Sequence, residues 1–317
     1  MKHFTTLAAA VTLFAAPALA ADSSGVKLQQ EDGRVVVTVG DKPFTVYHFG
    51  DAEGRSFVRP YFFPVRAADG TEVTSDQVVS GGDHPHHRSL WVSHGDVNGA
   101  DHWSFQQKPE PKQRHVKFSK LGGDTFVQEL EWEAKGGEGI LLREMRTVRF
   151  FAFDDGGRGI DFTLVFTPAG DKAVTFGDTK EAGLCAVRVR TSISDKPTLT
   201  NARGQSGEKQ VWGKPAEWCD LSGQINGKPY GVAVLDHPKN PQHPSTWHAR
   251  EYGLRAANIF GLHDFDKKNP KGAGAFTIEP GKAATFRYRV VIHERDAKSA
   301  KLDEKFRDYA REVAQTR

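Results

Sequence analysis

Alternation of apolar and polar residues with a period of two runs through most of this chain and constrains its fold more than any other feature. This period is that of half-buried β-strands, whose successive side chains point to opposite faces of a sheet. Eight segments show it: Arg34–Val39, Phe44–Phe49, Thr125–Glu133, Met145–Phe153, Gly159–Thr167, Leu184–Thr191, Tyr230–Asp236 and Thr285–His293. Because Gly- and Asp-rich turns separate these segments, the pattern predicts an all-β protein of antiparallel strands.

One segment near the C-terminus has a helical period instead. Leu302, Phe306, Tyr309 and Val313 fall on one face of a helix from about residue 299 to 315. No linker, repeat or change of composition divides residues 21–317. We therefore predict a single domain, a large sandwich of two antiparallel sheets packed face to face, with this helix on the outside.

The N-terminus has the pattern of a secretory signal peptide. Lys2 precedes an apolar run from Phe4 to Ala16, and a small-residue cleavage motif ends at Ala20. We expect cleavage after Ala20 and a periplasmic or secreted location. Export permits disulfides, and Cys185 and Cys219 are the only cysteines. The two alternatives are a bond between them and two unpaired thiols, at least one buried in a strand.

Charge and hydropathy exclude two classes of partner. The chain has 43 Lys and Arg against 40 Asp and Glu, and the basic residues are scattered, so we predict no nucleic-acid partner. Its mean hydropathy is −0.53, and its single long apolar run lies at the N-terminus. We therefore predict no membrane span. The oligomeric state is not predictable from these features.

Histidine is concentrated in two segments. Residues 84–102 contain five and residues 237–263 contain four of the 13 histidines. Both segments are rich in Pro and Gly, so we interpret them as loops and strand ends on a β scaffold, where functional residues are common. Trp91, Trp103 and Trp247 lie in the same segments. Indole faces surrounded by His, Arg, Asp and Asn are typical of sugar-binding sites, which favours a small carbohydrate as ligand.

Proton transfer, metal ligation and simple hydrogen bonding are all open to these imidazoles. His84 and His86 point the same way in an extended segment, and with His248 they would give a three-histidine metal site. The spacing matches no standard metal motif, so we predict no cofactor and keep a divalent metal as an alternative. Turn-forming histidines that cap backbone groups are the structural alternative.

Glu181 is the leading candidate for a catalytic carboxylate. It lies at the mouth of a predicted strand, where it could face a cleft as a base. The alternative is a solvated loop carboxylate paired with Lys180. No nucleophile-elbow, P-loop or dinucleotide-binding motif occurs in a suitable context, which argues against serine hydrolases, NTPases and dinucleotide enzymes.

Six short motifs together resemble the PmoA-like family of exported bacterial proteins, a domain of unknown function that also bears a methane-oxygenase label. The motifs are 59–61 (RPY), 83–88 (DHPHHR), 95–99 (GDVNG), 176–181 (FGDTKE), 218–223 (WCDLSG) and 236–258, which contains Asp-His-Pro, His-Pro, Trp-His-Ala-Arg and Ala-Asn. The resemblance covers nearly all of residues 21–317. It implies a β-supersandwich similar to galactose mutarotase-like proteins, in which His/Glu acid–base pairs at one face of the sandwich act on sugars.

These observations lead to a functional hypothesis. We expect an exported carbohydrate-active enzyme doing acid–base chemistry, of the mutarotase or epimerase, lyase or hydrolase type, with Glu181 as base and His87 or His248 as acid. The alternatives are a His-ligated metal-dependent hydrolase or oxygenase, and a non-catalytic periplasmic sugar-binding protein. The substrate-binding set we predict is His84, His86, Arg88, Trp91, His94, Asp96, Trp103, His237, Trp247, Arg250 and Asn258.

Overall fold

Two antiparallel sheets form the body of the protein in a computed structural model, which describes residues 25–50 and 57–312. The first sheet has eight strands within these ranges, in the spatial order β1 (Val26–Glu31), β2 (Arg34–Val39), β3 (Lys42–His48), β4 (Tyr61–Val65), β5 (Leu90–His94), β11 (Ala182–Arg188), β16 (Leu254–Ala257) and β15 (Trp247–Arg250). The second, also of eight described strands, has the order β12 (Thr198–Asn201), β13 (Trp218–Ile225), β14 (Lys228–Asp236), β18 (Ala284–His293), β9 (Arg158–Pro168), β8 (Ile140–Ala152), β7 (Thr125–Glu133) and β6 (Gln113–Gly122).

Short elements complete the described part of the chain. A two-stranded sheet pairs β10 (Val174–Phe176) with β17 (Phe276–Ile278). The helices are α1 (Gln77–Ser80), α2 (Thr191–Ser194), α3 (Glu208–Val211), α4 (Leu262–Phe265) and α5 (Leu302–Glu312), and a single 3₁₀ turn covers Lys135–Gly137. No helix among these residues is long and apolar enough to cross a membrane. The predicted signal peptide, residues 1–20, lies outside the described ranges.

Aromatic side chains from both sheets meet in the main core. Tyr47 stacks on Phe126 of the second sheet with ring centroids 4.8 Å apart, and Phe44 meets Phe150 edge-on at 6.2 Å. The buried cluster draws on nearly every strand of both sheets. The prediction of an all-β sandwich of two large antiparallel sheets with a C-terminal helix is therefore confirmed.

The C-terminal helix packs on the outer face of the second sheet. Leu302 and Tyr309 of α5 join a cluster with Trp218 and Val291 of the sheet, and Phe306 packs against its edge. Among the described residues the helix runs from Leu302 to Glu312, so it begins three residues later than the period suggested. Residues 313–315 of the predicted helix lie outside the described part of the chain.

The strand prediction failed in the histidine-rich segments. Three strands, β5, β15 and β16, lie in segments that we interpreted as loops and strand ends, and nearly all of their residues are buried. A strand that is covered on both faces has no alternation to detect. These strands are adjacent to β11, whose seven residues are all buried as well.

Both cysteines are free thiols. Cys185 lies in β11 of the first sheet and Cys219 in β13 of the second, and each is buried. Burial raises the pKa of both thiols, that of Cys219 to about 12. Of the two alternatives drawn from the sequence, the structure has the unpaired thiols.

The buried histidines predict a loss of stability in acid. Burial lowers the pKa of His94 and of His102 to about 3, whereas an imidazole in an unfolded chain titrates near 6.5. Between these values the unfolded state binds protons that the folded state excludes. Each group therefore lowers the free energy of unfolding by about 1.4 kcal/mol per pH unit as the pH falls through this window. Urea unfolding at pH 7, 6 and 5 measures the slope.

A matched variant isolates one of these groups. His94→Phe keeps an aromatic ring between Phe176 and Phe260, which contact the His94 ring edge-on, and removes its titration. We expect the slope of the variant between pH 5 and 6 to be smaller by about one proton. Identical slopes in both proteins would show that His94 is not held neutral by the fold.

Candidate functional site

The site lies on the outer face of the first sheet, on the side away from the main core. A second small apolar cluster covers this face: Tyr61, Trp91, Trp103, Ala186, Leu254 and Ala256, with Phe57 and Phe63 packed against it. Its members come from β4, β5, β11 and β16 and from the segment that follows β5. Because these strands are also buried on their inner face, the cluster needs a cover, and polar aromatic side chains provide it.

A compact group of nearly parallel rings lies beside this cluster. His87 lies over Trp91, with centroids 5.6 Å apart, and His84 stacks on His87 at 4.8 Å. Tyr252, in the turn between β15 and β16, stacks on His84 at 5.2 Å and is 38% exposed. His86 meets His87 edge-on at 4.5 Å. Three of the predicted histidines are therefore brought together at one point of the surface.

Glu181 and His248 reach the same region from two other segments. Glu181 directly precedes β11, and His248 is the second residue of β15. The Lys180 carbonyl lies 2.6 Å from His248 Nδ1 and accepts a 3.0 Å bond from Asn258 Nδ2. These bonds fix the backbone immediately before Glu181. Trp212, which follows α3, packs edge-on against His248 at 5.0 Å.

Neighbouring charges keep Glu181 ionised. Burial alone would raise the pKa of this carboxyl, but a hydrogen bond from the Lys180 ammonium brings the pKa below its ordinary value. Its side chain is 35% exposed. Glu181 is therefore a charged base at neutral pH that solvent, and a ligand, can reach.

The same site holds its imidazoles neutral. Burial lowers the pKa of His248 and of His86 to about 4, and it lowers the pKa of His87 further, with His86 and Arg188 adding to the effect. The Trp103 ring packs against both imidazoles, with its centroid 6.1 Å from that of His87 and 6.2 Å from that of His248. His248 in turn is bonded to the carbonyl of Lys180, the residue before Glu181. The three residues predicted as catalytic therefore lie in one part of the structure.

Hydrogen-bond partners assign opposite roles to the two predicted acids. A carbonyl oxygen only accepts, so His248 Nδ1 donates to Lys180, and the neutral ring presents Nε2 as an acceptor. A guanidinium only donates, so His87 Nδ1 accepts from Arg188 Nη1 at 3.1 Å, and Nε2 carries the proton. At neutral pH His87 is therefore the donor of the pair, and His248 is a second acceptor beside Glu181.

Several predicted ligand-binding side chains have structural roles instead. Trp247 is buried in the main core, where its indole donates to the Ala216 carbonyl. Trp91 and Trp103 are buried beneath the histidines and expose no ring face to a sugar. These positions correct our expectation of an indole stacking wall. The exposed ring at the site is the phenol of Tyr252.

Four polar residues of the predicted set also lie away from Glu181 or are buried where a ligand cannot reach them. His94 packs in the core against Phe260, and Asp96 caps a turn by accepting from the Gly99 amide. His237 lies against Tyr309 of α5, on the second sheet. Arg88 is buried in an ion pair with Asp76. Buried or distant groups of this kind cannot contact a ligand at Glu181.

The remaining two predicted residues border the site. Arg250 is half-buried, pairs with Glu208 at 2.5 Å and lies 4.1 Å above the Trp212 ring. Asn258 is fully buried, and its amide bonds are used on the backbone of Thr179, Lys180 and Phe260. Asn258 is therefore a positioning residue for the segment before Glu181.

Sequence reasoning missed Tyr252, Trp212, Arg188 and Arg59. Arg188 had a usable signal, since it is the charged residue of an otherwise apolar strand, Ala182–Arg188. Tyr252 lies two residues after Arg250 in the histidine-rich segment. Trp212 had no signal, because only the fold brings α3 beside β15.

The described residues contain no group of three or more His, Cys, Asp or Glu side chains arranged to hold a metal ion. His84, His86 and His248, the set that the metal alternative would need, are therefore not arranged as such a group.

Solved structures similar to this chain are galactose mutarotase-like. A galactose mutarotase-like protein from Lactobacillus casei shares 10% identity, with 85% of this chain and 100% of that one covered and a TM-score of 0.41. A galactose mutarotase related enzyme from Lactobacillus acidophilus shares 8%, with 86% and 98% covered and a TM-score of 0.35. A GalM/aldose epimerase homologue from C. elegans shares 7%, with 86% and 100% covered and a TM-score of 0.36.

A comparison with curated proteins found no match. A family model does match, over residues 34–307, and it is described as a family of unknown function, DUF6807. The resemblance to PmoA-like proteins stays a prediction beside this match. Since the matched range covers more than half of the chain and includes every residue of the site, the chain belongs to the DUF6807 family of unknown function.

Proposed function

We propose that this protein is an exported carbohydrate-active enzyme that performs acid–base chemistry on a sugar or glycoside. The observation that carries the proposal is that three segments of the chain bring Glu181, His248 and His87 together on the outer side of the first sheet. Both buried imidazoles pack against Trp103, at 6.2 and 6.1 Å, and the Glu181 side chain beside them is 35% exposed. A structural role for each residue alone would not require that they meet. The reaction class is mutarotation or epimerisation, elimination, or hydrolysis.

The site combines groups that can accept a proton with a group that can donate a hydrogen bond, which supports a reaction and not binding alone. Glu181, ionised and partly exposed, accepts a proton from the substrate. The Nε2–H of His87 donates to an oxygen that gains negative charge in the transition state, as a preorganised donor in a buried setting. His248 Nε2 offers a second acceptor for a hydroxyl.

The rim of the site supports a sugar as the ligand. Tyr252 stacks on His84 and Trp212 lies beneath Arg250, but both residues keep exposed surface that a sugar ring can contact. Lys180, Arg250 and Glu208 surround these rings with hydrogen-bonding groups for hydroxyls. A mixture of aromatic surface and converging polar groups is typical of small-molecule sites.

Replacing the proposed base tests the mechanism. We expect Glu181→Gln to lower kcat/KM by about 10²- to 10⁴-fold, because the amide keeps the shape of the carboxylate and cannot take a proton. Turnover is followed over a panel of aldoses and glycosides by anomer exchange in NMR spectra, ultraviolet absorbance of unsaturated products and release of reducing ends. Glu129→Gln, which changes a partly exposed carboxylate of β7 on the second sheet, is the control that should retain full activity.

Two results would contradict this assignment. Wild-type turnover by Glu181→Gln would remove Glu181 from the chemistry. Sugar binding that is equal in both proteins, without turnover of any substrate in the panel, would indicate a non-catalytic binding protein.

The pKa values predict an acid limb in the activity profile. His248 has a pKa of about 4, and the pKa of Glu181 lies below its ordinary value. Both groups are in their proton-accepting forms above about pH 5 and lose them as the pH falls. We expect kcat/KM to be flat between pH 5 and 7 and to decline below pH 5, measured within the range where circular dichroism shows a folded protein. A decline centred near pH 6.5 would indicate an unshifted histidine and would contradict the assigned protonation states.

A further inference from the structure

Arg188 is a buried cation without an acidic partner. It is the last residue of β11, and only 8% of its surface is exposed. Nη1 donates to His87 Nδ1, a neutral atom, and the guanidinium lies over the Tyr252 ring at 4.7 Å. No described carboxylate is within ion-pair distance of it. Some side-chain nitrogens of the described residues are fully buried and have no hydrogen-bond partner, but Nε and Nη2 of Arg188 are not among them. We therefore infer that a ligand can reach these two nitrogens.

The other cations of the site are neutralised or enclosed. Lys180 pairs with Glu181, Arg250 with Glu208 and Arg88 with Asp76. Arg59 is enclosed and donates to the backbone carbonyls of residues 86, 102 and 103. Arg188 is therefore the cation that combines accessibility with an unmatched charge. Asp83 interacts with it electrostatically, but that exposed carboxylate is bonded to His84.

Arg188 and Glu181 border the same space from opposite ends of β11. They are seven positions apart, which corresponds to about 20 Å along an extended strand. Both side chains extend over the outer face of the sheet. The Tyr252 hydroxyl interacts electrostatically with Arg188, Arg250, Glu181 and Glu208. The Tyr252 ring, 4.7 Å from the Arg188 guanidinium, therefore belongs to the same part of the site as the proposed base.

We propose that the substrate is an acidic glycoside of at least two sugar units, whose carboxylate binds Arg188 while the neighbouring unit reaches Glu181. The inference rests on the proposed function and adds the substrate class. One sugar ring is shorter than the separation of the two residues along β11, so we place the carboxylate and the reacting bond on different sugar units. A planar carboxylate matches the guanidinium fork.

A carboxylate fits the charge of the site better than a phosphate does. The unpaired positive charge that a ligand can reach is that of one guanidinium, and a single negative charge balances it. Glu181 is ionised nearby, so a doubly charged phosphate would meet stronger repulsion. Sugar phosphates accordingly form the comparison ligands of the test.

Calorimetric titration of the full chain with matched ligands tests the inference. The probes are disaccharides that contain galacturonate or glucuronate, their methyl esters, the uronate monomers and hexose phosphates. We expect the best acidic disaccharide to bind about 10- to 100-fold more tightly than its ester, the range for a charged hydrogen-bond pair. This preference should diminish as salt is added.

Variants of Arg188 assign the preference to this residue. Arg188→Gln should bind acid and ester equally, and Arg188→Lys should keep part of the preference, because it keeps the charge and loses the fork. Arg149→Gln, on β8 of the second sheet, is the control and should behave as the wild type. If Arg188→Gln does not fold, the Arg188→Lys titration and the salt dependence still decide the matter.

The outcomes separate this inference from the proposed function. Equal affinity of the wild type for acid and ester, or tighter binding of hexose phosphates, would overturn the inference. If the enzyme nevertheless turned over neutral sugars, the proposed function would still stand. A preference for the acid that survives Arg188→Gln would also overturn it. Glu181→Gln should lose turnover and keep the preference, so loss of both in that variant would contradict separate roles for the two residues. Absence of binding and turnover for every sugar in the panel would count against both proposals.

Discussion

Strand β11 is covered on both faces, and the organisation of the site depends on this constraint. Its inner face contributes Cys185 and Val187 to the core between the sheets, while Ala186 faces outward. An outer face that is apolar in the middle of a sheet must be shielded from water. The segment after β4 supplies that shield, and its side chains are mainly rings: Trp91, Trp103, His86 and His87. Burial of the imidazoles follows from this requirement, and their lowered pKa values follow from the burial.

One backbone carbonyl organises the reactive end of the site. The Lys180 oxygen accepts from both His248 and Asn258, which belong to different strands and loops. This contact sets the tautomer of His248 and at the same time holds the peptide before Glu181. Geometry and protonation state are therefore established together, and the polar groups of the site are prepared before any ligand binds.

The sequence was sufficient for the fold class but insufficient for the strands beneath the site. Alternation located β2 and β7 with correct bounds, because each has one face on the core and one toward solvent. It failed for β5, β15 and β16, whose residues are buried on both sides. Clustering of histidine indicated the surface on which Glu181, His87 and His248 meet. It could not separate His87 from His94, which are seven residues apart on opposite sides of the same sheet. Trp212 and Arg188 required the tertiary structure, since their partners are distant in sequence.

The floor of the site is made of alanine, and this has an evolutionary consequence. Ala186 and Ala256 lie directly opposite each other on β11 and β16, in the outer cluster. Their methyl groups leave the space above them to the rings and to whatever binds there. A relative with valine or leucine at these two positions would have to seat the covering rings further out over an unchanged sandwich, because the core lies beyond the backbone of the sheet. Ligand size could thus diverge within the family at two small residues, without rearrangement of the scaffold or of the ionisable groups.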